Sequence, residues 1–283
     1  METVAVLGMG LLGRGFAEGL RDRGAQVRVW NRTRSKAEAL AGEGVTVADT
    51  PAEAVRGADR VHLILSADEA VDAVILQLRE GLRDGVPIVD HSTCLPARVA
   101  ARAKVLRSQG LRYLHAPVFM SPRDAQGGKG LMLLSGAAED HAALRPALEA
   151  MTGTLLYQGA APDKGAKLKL TGNGMLFLLL GAMGDLFRMG EGMGLTAEDV
   201  THLFEHYLPT PHRMGQRALA SGTHDPTFEM ATAHKDAQLM LQAAGGRDRL
   251  RLLPVLADAM ARAMANGRSD ADFTSLAHPD HLD

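Results

Sequence analysis

Thr3-Val4-Ala5-Val6-Leu7-Gly8-Met9-Gly10-Leu11-Leu12-Gly13 decides the fold. An apolar run short enough for a strand leads into glycines spaced G-x-G-x-x-G, and a helical pattern follows. Such glycines make a tight turn and let a pyrophosphate approach the backbone, with the helix N-terminus facing the phosphates. A second strand ending at Trp30 supplies the rest of the βαβ context, and together they predict a dinucleotide site on Gly8, Met9, Gly10, Leu11, Leu12 and Gly13. After that strand an acid would bond a ribose 2′-hydroxyl. The sequence instead offers Asn31-Arg32-Thr33-Arg34, with no carboxylate and two guanidinium groups suited to a 2′-phosphate. NADP(H) is therefore expected over NAD(H), with Asn31, Arg32 and Thr33 among its contacts.

Outward from this stretch, short strand-like runs alternate with amphipathic segments as far as about Gln158, the pattern of a mostly parallel sheet. The strand candidates are Thr3 to Leu7, Val27 to Trp30, Val45 to Val47, Val61 to Leu65, Ile88 and Val89, Leu111 to Leu114, Leu131 to Leu134 and Leu155 to Tyr157. Beyond Pro162 no strand run is visible. Lys164 to Gly190 reads as one long helix ended by Gly190, Gly192 and Gly194, with further helices near Ala197 to Tyr207, Lys235 to Ala244 and Arg249 to Asn266. The fold class expected is α/β: an N-terminal Rossmann domain over 1–160, then an all-α domain over 161–283 that includes a long interdomain helix.

Composition limits the partners. The chain has 283 residues, 46% hydrophobic and 23% charged, and 31 basic against 33 acidic side chains give a net charge of −2. That balance offers no positive field for nucleic acid. The most apolar stretch, Met175 to Gly184, is about ten residues against the roughly 20 that span a bilayer, so it reads as a buried helix and no membrane partner is expected. One cysteine, Cys94, and an acidic N-terminus without an export pattern point to the cytoplasm.

Four motifs in order resemble the β-hydroxyacid dehydrogenases, which include 3-hydroxyisobutyrate dehydrogenase and tartronate semialdehyde reductase, in the wider 6-phosphogluconate dehydrogenase-like superfamily. They are the glycine stretch with Asn31-Arg32-Thr33-Arg34, then Asp90-His91-Ser92-Thr93-Cys94-Leu95-Pro96, then Gly165 to Asn173, and finally His234-Lys235-Asp236. Lys167 and Lys169, two apart, point to nearly opposite sides of a helix, whereas Lys169 and Asn173, four apart, share a face. The family spacing selects Lys169 as general acid and base and Asn173 as the residue that orients the substrate. If Lys169 is buried beside the nicotinamide, desolvation brings its pKa toward working pH. The resemblance further implies Leu65, Ser66, Thr93 and Lys235 at the cofactor, Ser92 at the substrate, and a homodimer or homotetramer.

The chain departs from the family after Ala116-Pro117-Val118. Phe119-Met120-Ser121-Pro122-Arg123 replaces the small residues that hold a substrate carboxylate there. Phe119, Met120, Ser121 and Arg123 are the expected substrate contacts, the first two making the pocket more apolar and Arg123 the nearest replacement for the lost carboxylate contacts. Gly172 stands where many members have a second asparagine. The expected substrate is a small hydroxyacid, semialdehyde or related carbonyl compound. Related imine reductases share the apolar segment but usually carry Asp or Tyr in place of Lys169, and a non-catalytic nucleotide-binding scaffold is the remaining alternative. His202-Leu203-Phe204-Glu205-His206 matches an inverted zinc-peptidase pattern inside a helical region, and no metal is expected.

Overall fold

The computed structural model describes residues 1–222, 225–278 and 280, with the backbone alone at 206, 207, 211 and 212. The chain forms two compact units, Met1–Lys169 and Leu170–Asp283.

In the first unit, six parallel strands take the order β3-β2-β1-β4-β5-β6. They are β1 (Thr3–Leu7), β2 (Gln26–Trp30), β3 (Val45–Val47), β4 (Arg60–Leu63), β5 (Ile88–Asp90) and β6 (Tyr113–His115). Between them run α1 (Leu11–Asp22), α2 (Arg34–Glu38), α3 (Pro51–Val55), α4 (Asp68–Leu78) and α5 (Pro96–Ser108). Successive strand residues point to opposite faces, and helices cover both. Val4 and Val6 therefore pack with Phe16, Val27 and Val29, while Ala5 and Leu7 pack with Val61 and Leu63. This is why β1 reads as an unbroken apolar run.

The later strands leave that sheet. β7 (Val118–Phe119), β8 (Leu131–Leu134) and β9 (Thr154–Tyr157) make a second sheet, with β7 antiparallel to β8 and β8 parallel to β9. Between them come α6 (Pro122–Gly127) and α7 (Ala138–Glu149). Two residues are too short to show a period of two, so β7 carries no signal in the sequence.

α8 (Lys164–Gly192) begins in the first unit and continues into the second, which adds α9 (Ala197–Tyr207), α10 (Pro209–Leu219), α11 (Met230–Ala243) and α12 (Leu253–Ala265). One expectation is corrected here. Met175 to Gly184 is not buried all round: Phe177, Leu180 and Met183 are covered, but Met175 is 60% exposed and Leu176 and Leu178 are also open. The full helix is long and apolar enough to span a bilayer by length and composition. Its inward face packs into the core of the helical unit, where Phe177 lies 5.5 Å from Phe273 and 6.0 Å from Phe228 between ring centres.

Candidate active site

Four loops leave the carboxyl ends of the neighbouring strands β2, β1, β4 and β5, the edge where open parallel sheets bind ligands. They carry Asn31 to Thr33, Gly8 to Gly13, Leu65 with Ser66, and Ser92 with Thr93. Hydrogen bonds fasten them in pairs. Gly8 N–H donates to the Trp30 carbonyl at 2.9 Å, Met9 N–H to Asn31 Oδ1 at 3.0 Å, and Leu65 N–H to Ser92 Oγ at 2.9 Å.

The three glycines do different work. Gly8 holds φ +106°, and a Cβ there would stand 2.1 Å from the Ile64 carbonyl oxygen. A Cβ on Gly13 would stand 1.8 Å from the Gly8 oxygen, so α1 starts hard against the loop. Gly10 faces open space with nothing within 4 Å, and no side chain caps α1. Bare N-terminal N–H groups beside an open glycine are what a pyrophosphate requires, so these residues fit a dinucleotide. Met9 contributes only backbone there, because its side chain is in the core. Arg34 is held by Glu38 at 2.7 Å and by Asp49, whereas Arg32 is exposed and has no ion pair with a described residue.

A buried polar layer positions these loops, and most of it is invisible in the sequence. Asp90, fully buried, accepts from Tyr113 Oη at 2.7 Å and from Ser92 N–H at 2.9 Å. Burial and the Asp90 charge push the Tyr113 hydroxyl up. Arg102 bonds Asp68 at 2.8 Å and Asp72 at 2.6 Å, and Asp68 accepts Leu95 N–H at 2.9 Å. Beside them Arg60 Nε donates to His62 Nε2 at 2.9 Å, His62 Nδ1 lies 2.8 Å from His91 Nε2, and His91 Nδ1 lies 2.7 Å from the Ala116 carbonyl oxygen. A neutral imidazole has one N–H, so this order assigns the protons: His62 and His91 both carry theirs on Nδ1. Burial supports the neutral forms, lowering His62 well below its ordinary value and His91 to about 4.

Ser92 is thus 2% exposed and engaged as an acceptor, while Thr93 beside it is half-buried. Cys94 is buried, and desolvation together with the nearby carboxylates pushes its thiol far up, the state of a packing residue and not of a nucleophile. Asp90, Cys94 and His115 do place ligand-type atoms within 4.8 Å of one another. The Asp90 oxygens already serve Tyr113 and Ser92, so the trio reads as a packed polar core.

The start of α8 brings the selected lysine to β7. Gly165 N–H donates to Ser135 Oγ at 2.8 Å, and a Cβ on Gly165 would lie 3.3 Å from the Pro117 ring. Four residues on, along the same face, the Lys169 ammonium stands 4.2 Å from the centroid of the Phe119 ring. Lys169 is half-buried; Lys164 and Lys167 are exposed, and Lys167 pairs with Asp163 at 2.7 Å. Phe119, Met120 and Ser121 are half-buried and Arg123 is exposed. Ser121 caps α6: its N–H and hydroxyl both donate to Asp124 Oδ2, at 3.0 and 2.7 Å, and its Oγ accepts Asp124 N–H at 3.2 Å. The S-x-x-D spacing was the available signal for this capping box.

Within the second unit, Asn173 is buried and its Nδ2 donates to Asp236 Oδ2 at 2.8 Å, while Lys235 Nζ pairs with Asp236 Oδ1 at 2.5 Å. Asp236 thereby ties its neighbour Lys235 to Asn173, 63 positions from Asp236, a link that no local pattern reveals. His202 pairs with Glu205 at 3.1 Å, and the His206 side chain lies outside the described residues.

Residues 3–159 match the NAD binding domain of 6-phosphogluconate dehydrogenase. The chain belongs to the 6-phosphogluconate dehydrogenase-like family. Its similarity to an Arabidopsis thaliana glyoxylate/succinic semialdehyde reductase is 25% identity over 96% of each chain. Its fold matches Mycobacterium tuberculosis 3-hydroxyisobutyrate dehydrogenase with L-serine at a TM-score of 0.83 and 25% identity, covering 98% of both chains. A Myxococcus stipitatus imine reductase in complex with NADP+ matches at 0.68 with 22% identity, covering 99% of this chain and 100% of that one, a likeness of fold. This family member is an oxidoreductase with an NAD(P)-binding domain, and its relatives are of the β-hydroxyacid dehydrogenase type.

Proposed function

We propose that this oxidoreductase is NADP(H)-dependent and interconverts a small hydroxy compound, hydroxyacid or otherwise, with its carbonyl form, with Lys169 as general acid and base. The observation that carries the reading is the placement of that amine: it alone of the lysines at 164, 167 and 169 is half-buried, above Phe119 at the second sheet. The four loops would hold the dinucleotide, whose nicotinamide would supply or take the hydride. The ammonium gives a proton to the carbonyl oxygen as negative charge grows on it, and in oxidation the amine takes the hydroxyl proton. Asn173, one turn further along α8, has its amide nitrogen committed to Asp236, which fixes which end of the amide presents an acceptor.

Lys169→Ala is expected to leave NADPH binding nearly unchanged and to lower kcat by about a hundredfold or more; unchanged turnover would remove the lysine from the mechanism. The preference for NADP(H) is supported by Arg32, exposed beside the Asn31 loop while Arg34 is engaged elsewhere. Replacing Arg32 with Asp should reduce affinity for NADPH relative to NADH by about tenfold or more, since a charge-assisted bond to phosphate becomes a repulsion. Equal losses for both nucleotides would contradict the assignment.

A further inference from the structure

Building on that reading, we propose that the substrate is an uncharged carbonyl compound, an aldehyde or ketone with an apolar substituent, and that a carboxylate-bearing analogue of the same size is discriminated against. The argument starts from the donors in the segment next to Lys169. Ser121 is the one polar side chain of Phe119-Met120-Ser121, and both its hydroxyl and its backbone N–H donate to Asp124 Oδ2, at 2.7 and 3.0 Å. Both donors of Ser121 are therefore committed to the cap of α6 and are not offered to an anionic substrate group. Those bonds also hold the Asp124 carboxyl below its usual range, so it is an anion at neutral pH and repels a second one.

The other two residues add apolar surface. Phe119 presents its ring face to the Lys169 ammonium at 4.2 Å, an attraction that persists with no substrate anion present. β7 cannot easily swing aside to open a different cradle: Val118 and Phe119 pair with Met132 and Leu131 of β8. Behind them, a Cβ on Gly130 would already stand 2.7 Å from Met120 Cβ. Arg123, exposed on the first turn of α6, is the cation of the segment that would have to capture a carboxylate if the proposal were wrong.

The test follows NADPH oxidation by the full chain with butanal and with 4-oxobutanoate, which share a chain length and differ by a carboxylate. Wild type is expected to show kcat/KM at least about tenfold higher for butanal, the ratio that one unmatched charge produces. Asp124→Ala should raise kcat/KM for 4-oxobutanoate by about tenfold, mainly through KM, with butanal changed less than about twofold. Because that variant removes a helix cap, Phe119→Ser serves as a second probe and should move the ratio the same way. A wild-type preference for 4-oxobutanoate that Arg123→Ala abolishes overturns the proposal and leaves the Lys169 mechanism standing. No oxidation with either compound, with other carbonyls or with a cyclic imine, while NADPH still binds, removes the underlying reading and the proposal with it.

Discussion

At the β1–α1 loop backbone meets backbone, with the Gly8 and Gly13 positions so close to carbonyl oxygens that no side chain fits, and with Gly10 left open. At Phe119 to Asp124 side chains close on one another: a ring under an ammonium, and a serine spending both its donors on a neighbouring aspartate. The first region is shaped to receive a charged ligand through bare N–H groups, the second to present few polar groups at all. A dinucleotide site can keep its outline because its ligand does not vary, whereas the proposed substrate segment can change character through two or three side chains.

The contrast can be broken first at Gly13. A Cβ 1.8 Å from a carbonyl oxygen forces α1 away from the loop, so Gly13→Ala should cost on the order of 3 kcal/mol or more in denaturant unfolding. Acid acts nearer the other region, because the row of histidines ends on the Ala116 carbonyl, two residues before β7. Both imidazoles have folded pKa values below the ordinary 6.5, His91 at about 4, so the unfolded chain binds more protons between those limits. Stability is therefore complete above about pH 6.5 and declines as pH falls toward 4; urea unfolding at pH 5 should show a loss on the order of 2 kcal/mol relative to pH 7 from His91 alone, with His62 adding to it. A flat profile would mean the imidazoles are not neutral in the fold. The smallest effect on stability belongs to Gly10→Ala, less than about 1 kcal/mol because its surroundings are open, yet NADPH binding by titration should weaken about tenfold. If Gly10→Ala binds NADPH normally, the open space is not the ligand's.

What the sequence made legible was what local pattern encodes. Thr3 to Leu7 and Leu131 to Leu134 appear as strands with the expected ends because both are unbroken apolar runs bounded by glycine or polar residues. α9 begins as its Thr196 start signal indicates, with Asp199 completing the cap. α10 was hidden by Pro209 and Pro211, which read as breakers although proline suits a first turn. The exposed side of α8 was hidden by composition, since leucine and methionine look alike whether or not a neighbour covers them. In the site, glycines and the lysine stood out by spacing, but His62 with His91 and Asn173 with Asp236 are brought together only by the fold.

The histidine row has one more consequence. The hydrogen bonds from Arg60 Nε through His62 and His91 all run one way and end on the Ala116 carbonyl oxygen, which has nowhere to pass a proton. The row is an insulator, a strut that props the sheet without conducting. A proton arriving at the Arg60 end would find no exit at the other, so this row carries none toward β7.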